Sequence, residues 1–334
     1  MNQDPVASPP FKPPVVDSLA VRVVVDSAYE RFLPEMTHEF AKIENISLVP
    51  GRQMTTFACE WGLSLHLESR AGGESGQYIV DFGYTPEIIN RNFDLLDIDS
   101  RKINGLILSH AHRDHFGGMA GFVTQHRNRM PADLALYVGA EDVFRERWLG
   151  KPENPVSWGA VDKITLTAQK VAPVCCDRPQ TLAGGFTTGF IGRNSFETVT
   201  GGSMVVDYDH FTEDERKGKL VKDTHPGEHA TCYIVKGRGL VVITSCGHVG
   251  LINTIKTAMH VSGVDKLHAA IGGFHLGTAP LDYIDKTIDE LESLKPDVVI
   301  PMHCSGANFI ERMRTRMPKQ LVTSNVGARF TFGL

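Results

Sequence analysis

Apolar residues along this chain come mostly in short runs, broken by glycine, proline and charged turns. "LAVRVVVDS" (19–27) is rich in β-branched residues and reads as a strand. "LSLHLES" (63–69) alternates apolar and polar positions, as a half-buried strand does. The turn "AGGESG" joins it to a hairpin partner, "QYIVDFG" (77–83). A short helix from about Thr85, the strand "GLILS" (105–109) and the helix "GGMAGFVTQHR" (117–127) follow. The pattern then weakens. It predicts strands at "LALYVG" (134–139) and "KITLTA" (163–168), and an irregular stretch from Pro173 to about Gly202.

Periodicity returns with a hairpin, "ATCYIV" (230–235), "KGRG" and "LVVITS" (240–245). The helix "GLINTIKTAMHV" and the strand "LHAAIGGF" (267–274) come next. Ile284, Ile288, Leu291 and Leu294 fall at i, i+4, i+7 and i+10, one face of an amphipathic helix. "DVVIPMH" (297–303) is a buried strand, and a last helix and strand close the chain. Strand-rich halves that each carry helices predict an α/β domain with two sheets face to face and helices outside. The proline-rich residues 1–18 read as an extended arm and residues 19–334 as one domain, with substrate-side loops in 128–230.

Composition narrows the function. The 334 residues are 42% hydrophobic and 22% charged, enough for a sizeable core. A net charge of −5 and a pI near 6.3 give no general basic surface. The expected partner is therefore a small molecule and not nucleic acid, whose binding depends on phosphate neutralisation. No apolar run approaches the roughly 18–20 residues that span a bilayer, so no membrane partner is expected. The N-terminal segment lacks a charged-then-apolar leader pattern, and the cysteines (59, 175, 176, 232, 246, 304) are scattered. Both features predict a reduced, cytoplasmic protein. The sequence sets no oligomeric state.

The chemistry concentrates in "SHAHRDHFGG" (109–118), where His110, His112, Asp114 and His115 follow a buried strand. A strand ending at His110 projects His110 and His112 from the same side of the loop, and Asp114 and His115 come from the next turn. That arrangement offers two ligands to each of two adjacent metals. Imidazole with carboxylate suits zinc, with iron or manganese as alternatives.

"SHAHRDHFGG" resembles the H-x-H-x-D-H signature of the metallo-β-lactamase superfamily. Asp81 in "IVDFG" and His303 in "VVIPMHCSG" match that family's first and last landmarks. More narrowly, "EWGLSLHLES", "TTGFIGR", "GLVVITSCGHVGLINTI", "GGFHLG" and "MHCSG" are similar to the branch that contains the dihydropterin-ribofuranosylaminobenzene phosphate synthase-like proteins. The resemblance implies a four-layer αββα sandwich and a two-zinc pocket that includes His248 and His303. It also implies metal-assisted hydrolysis of an ester, lactone, amide or phosphoester bond, with a condensation on a pterin-like phosphate as the alternative.

The chain departs from the family pattern where a bridging aspartate normally ends the second strand of the late hairpin: Cys246 stands there, with His248 two residues on. His248 is the expected ligand and Cys246 the competing one. His225, Glu228 and His229 contend for the family's third motif, with at least two of the three expected to face solvent or to lie behind the ligands. Asp81 is expected to orient the cluster, and Asp114 to hold metal and move the proton. His275 is a candidate metal neighbour or substrate contact, and Arg193 a candidate contact for a substrate anion. His38, His66, His126, His210, His260 and His268 fall in no pattern and read as structural.

Overall fold

The computed structural model describes residues 11–52, 54–206 and 219–333. Along the chain the strands begin with β1 (Val15–Val16), β2 (Ser18–Val25), β3 (Lys42–Glu44), β4 (Ser64–Ala71), β5 (Glu74–Val80), β6 (Gly105–Leu108) and β7 (Ala135–Val138). Next come β8 (Arg147–Lys151), β9 (Asn154–Gly159), β10 (Ala172–Cys175), β11 (Phe186–Thr187), β12 (Met204–Val206) and β13 (Leu220–Lys222). The last are β14 (Thr231–Val235), β15 (Gly239–Thr244), β16 (Leu267–Gly272), β17 (Val298–Pro301) and β18 (Arg329–Phe332). The α-helices are α1 (Pro86–Leu95), α2 (Arg113–Phe116), α3 (Met119–His126), α4 (Lys163–Ala168), α5 (Leu251–Ser262), α6 (Leu281–Leu294) and α7 (Ala307–Arg316).

Among the described residues, one sheet runs β10-β7-β6-β5-β4-β2-β18-β3 and a second runs β1-β14-β15-β16-β17, with β11 on β14. Their inner faces make one apolar layer: Val21, Leu65, Leu67 and Phe330 from the first sheet, and Val241, Ile243, Ile271 and Ile300 from the second. Outside the first sheet, Ile79, Leu106 and Leu108 pack on Ile89, Phe93 and Phe122 of α1 and α3. Outside the second, Leu240, Val242 and Val299 pack on α5, α6 and α7 through Ile252, Ile288 and Phe309. Strands covered on both faces carry unbroken apolar runs, which is why "LVVI" in β15 shows no alternation. The result is the four-layer αββα sandwich.

Topology positions the site. β5, β6 and β7 are parallel neighbours linked by helices, as are β15, β16 and β17. In register, Val80 pairs with Ile107, and Thr244, Gly272 and Pro301 lie side by side. The carboxyl ends of both parallel sets therefore emerge next to one another, the place where open α/β sheets bind ligands.

Several local expectations change. "KITLTA" is the helix α4, not a strand. Asp162 caps it, accepting from the Thr165 N–H at 2.9 Å, and Ile164 is 84% exposed while Leu166 is buried. Its Ile-Thr-Leu-Thr alternation fits two periods, and the cap decides between them. The 128–230 region also holds a third small sheet, β13-β12-β8-β9. The end of the proline-rich arm is a strand: Val15 and Val16 pair in parallel with Ile234 and Val235.

Candidate metal centre

His110 is the second residue after β6, and α2 begins at Arg113, so Asp114 and His115 sit on the first turn of a helix. All four ligand-type residues of the cluster are buried. The ligand atoms of His110, His112 and His248 lie within 4.8 Å of one another, as do those of His110, His115 and Cys246. Asp114 Oδ2 stands 3.4 Å from His303 Nε2 and 3.8 Å from His115 Nε2. Two adjoining groups result: His110, His112 and His248 on one side, Asp114, His115, His303 and Cys246 on the other. The ligand atoms of Cys246 and His248 also lie within 4.8 Å of one another and of His275, so the one turn brings both residues to the pocket.

The surrounding residues fix these side chains. Asp81 accepts from the Ser109 N–H (2.9 Å), the Ser109 hydroxyl (2.8 Å) and His115 Nδ1 (2.7 Å). With the proton of His115 on Nδ1, its Nε2 lone pair faces the pocket, as carboxylates arrange for ligating imidazoles. Glu228 lies under the "CGH" turn, where its two oxygens accept from the N–H groups of His248 (3.0 Å) and Val249 (2.8 Å). Burial pushes its carboxyl up to about 7. Gly201 passes so close to His248 that a Cβ there would lie 3.0 Å from Nδ1.

The third-motif contenders separate. His225 stacks flat on His248, ring centres 4.1 Å apart, and joins the first group. His229 donates from Nε2 to the Leu108 carbonyl at 3.0 Å and belongs to the strand behind. None of the three faces solvent: His225, Glu228 and His229 are 3%, 3% and 2% exposed. Glu228 and His229 thus lie behind the ligands, the second of the two expected placements, while His225 joins the cluster. Arg193 does not stand free for an anion. Its guanidinium donates to the carbonyls of Thr224 (3.1 Å) and Val249 (3.4 Å), bracing the segments that carry His225 and His248. His275 is half-buried with its ring 4.2 Å from His248. Of the remaining histidines, His66 and His268 are buried away from the cluster, in hydrogen bonds to Gln77 and Asp297, and His210 lies outside the described residues.

Other residues at the site gave no motif. Asp26 directly follows β2 and accepts from the His303 N–H at 3.1 Å, and burial raises its carboxyl to about 6. Asp223 accepts from the His225 N–H at 2.8 Å and from Arg147 Nε at 2.9 Å. Ser203 pairs with His112 Nε2 at 2.8 Å. Trp158 of β9 lies over His112 (4.6 Å) and the exposed Trp61 over His303 (4.8 Å). Asp26 was the findable one, because "VVVD" ends a strand as "IVD" does at Asp81.

The donor set fits divalent cations. His110 Nε2, His225 Nε2, His248 Nε2, Asp114 Oδ1 and both ring nitrogens of His303 are buried without a hydrogen-bond partner, and buried polar atoms are rarely left so. Burial first, and then the neighbouring imidazoles, hold His110, His112 and His248 well below the ordinary histidine range, in the neutral form that binds metals. Burial also opposes charge on His303, yet Cys304 and Asp114 outweigh it and lift that imidazole to about 9. Positive charge is favoured on that side of the pocket. Four of these residues hold a left-handed backbone: Asp81 (φ 57°), His225 (51°), His275 (45°) and His303 (49°). Side chains other than glycine rarely adopt it, and such outliers cluster at functional sites.

Comparison with known proteins gives the family. The chain is 26% identical over 283 residues to the 7,8-dihydropterin-6-methyl-4-(beta-D-ribofuranosyl)-aminobenzene-5'-phosphate synthase of Methanocaldococcus jannaschii, covering 81% of this chain and 91% of that one. A solved metal-dependent hydrolase of the beta-lactamase superfamily superposes with a TM-score of 0.68 at 20% identity, over 93% of this chain and 98% of its own. Residues 71–303 match the metallo-beta-lactamase superfamily, and the chain belongs to that superfamily.

Proposed function

We propose that this protein is a metal-dependent hydrolase of a small organic substrate with an ester, lactone, amide or phosphoester bond. The observation that carries the reading is the set of unpartnered, buried ligand atoms gathered from both sheets into two adjoining groups. His110, His112 and His248, with His225 beside them, would hold one ion. Asp114, His115 and His303, with Cys246 at the seam, would hold the second. Zinc suits the set best, with iron or manganese as alternatives.

Two divalent ions at such a site supply a water that is nucleophilic at neutral pH and Lewis acidity for the substrate oxygen. The chain does the rest. Asp114, with Oδ1 free of other partners, takes the proton of the attacking water and returns it to the leaving group. Asp81 holds His115 in one tautomer and Glu228 fixes the His248 turn, so neither has to reorganise during reaction. Trp61 and Trp158 offer planar apolar faces on either side for the organic part of the substrate.

A second reading, a condensing synthase on a pterin-linked phosphate, is favoured by the match along most of the Methanocaldococcus synthase. Elemental analysis together with a screen over lactone, thioester, phosphodiester and aryl ester substrates tests the first reading. Far less than one metal per chain would remove both. Full metal with no hydrolysis, but with formation of a dihydropterin-linked ribofuranosyl-aminobenzene phosphate, would replace the first by the second.

A further inference from the structure

The "MHCSG" segment carries a cysteine that the proposed chemistry does not use. Cys304 Sγ lies 3.4 Å from Cys246 Sγ, and both residues are buried, at 5% and 2% exposure. Cys246 follows β15 and Cys304 follows β17, and the ends of these strands are fixed in register through β16. The approach is thus set by the framework. Between them runs Gly273, where a Cβ would come within 2.8 Å of Cys304 Sγ. The missing side chain leaves the sulfur room to move. The neighbouring pair in the sequence has no such geometry: Cys175 Sγ points to Glu141 (4.0 Å) and Cys176 Sγ to the Val174 carbonyl (3.6 Å).

We infer that Cys246 and Cys304 are a paired oxidation site: a disulfide between them withdraws Cys246 from the pocket and closes the second ligand group. A disulfide is about 2.05 Å long, so the sulfurs must approach by roughly 1.4 Å, within reach of side-chain rotation. Cys246 Sγ now lies 3.2 Å from His115 Nε2, and bonding to Cys304 turns it away from that ring.

The oxidant class is a peroxide. One thiolate sulfur attacks hydrogen peroxide, the O–O bond breaks, and the sulfur becomes a sulfenic acid as water leaves. The second sulfur then attacks the sulfenic sulfur, the S–O bond breaks, and a second water leaves. Two thiols lose two electrons and two protons, and one peroxide is reduced to two waters. The cross-link stands on the thiol geometry alone, whereas the accompanying loss of metal rests on the proposed function.

The test treats the full-length, as-purified protein with hydrogen peroxide, alkylates the remaining thiols and digests with trypsin. Peptides 239–256 and 287–312 each contain a single cysteine, Cys246 and Cys304. The expected product is this peptide pair joined with loss of about 2 Da. It is split by dithiothreitol and absent in Cys304→Ser and Cys304→Ala, whose Cys246 instead passes to acids that the reductant does not restore. Zinc content falls on oxidation of the wild type and returns on reduction and re-addition of zinc. An unlinked pair in wild-type protein whose exposed Cys59 has been oxidised would overturn the proposal. A linked pair with unchanged zinc content would overturn its second half. A linked pair in a protein that never binds zinc would uphold the cross-link and remove the hydrolase reading instead.

Discussion

Asp81→Asn separates the charge of the carboxylate from its shape. Asp81 is fully buried and accepts three hydrogen bonds, one of them from His115 Nδ1 at 2.7 Å. Its backbone is left-handed (φ 57°), which asparagine tolerates, so the loop need not move. Asparagine has one acceptor oxygen. With that oxygen kept on the Ser109 N–H, its amide group must donate toward His115. The imidazole then accepts at Nδ1 and carries its proton on Nε2, the atom that faces Asp114 and Cys246. The pocket loses a lone pair. Removing such an orienting carboxylate typically weakens metal affinity by about 10–100-fold, or ~1.4–2.7 kcal/mol. Zinc titration against a chromophoric chelator should show one of two sites weakened by that factor and the other unchanged, with a melting temperature only a few degrees lower. Wild-type affinity at both sites in folded Asp81→Asn would refute the tautomer argument.

Other outcomes follow from the same geometry. His112→Ala should abolish activity and lower metal content while circular dichroism stays native, and full occupancy with full turnover would remove the cluster assignment. Glu228→Ala strands two buried N–H groups under the His248 turn, at about 1–3 kcal/mol each, so denaturant unfolding should shift to lower midpoint, with Glu228→Gln intermediate. Arg147→Ala strips the buried Asp223 of its guanidinium partner, while Asp142 keeps Arg145, and should cost about 3–5 kcal/mol in the same assay. His66 is held down to about 4 by burial. Its contribution is complete above the unfolded value near 6.5, declines as pH falls and levels off near 4, a loss of up to about 3 kcal/mol. His66→Leu should flatten that part of the stability–pH curve, and an unchanged slope would contradict the burial argument.

The sequence was most legible where one face alone decides the pattern. Ile284, Ile288 and Leu291 mark the buried stripe of α6, and the β14–β15 hairpin shows its turn and both arms. "SHAHRDHFGG" is legible because a buried strand leading into clustered imidazoles has few structural uses. What stayed hidden depends on contacts between distant segments. No local signal places Ser203 on His112, or Asp26 under His303, since the bonded residues are 91 and 277 positions apart. The third sheet was missed because β12 and β13 are three-residue strands, too short for periodicity to show. For His225, Glu228 and His229, adjacency in sequence conceals three different roles, and only the folded loop distributes them.

The left-handed positions divide the molecule for anyone seeking to stabilise it. Asp97, Lys170 and Lys295 hold the same backbone region as the four pocket residues, yet they lie at turns and helix ends away from it. Glycine at such places removes a conformational penalty of about 1–2 kcal/mol per residue and gives back about 0.5–1 kcal/mol in chain entropy, a small net gain. The same exchange at Asp81, His225, His275 or His303 relaxes an equal strain but deletes a side chain that orients or lines the pocket. Thermostability can therefore be raised along this chain at no cost to chemistry only outside those four residues.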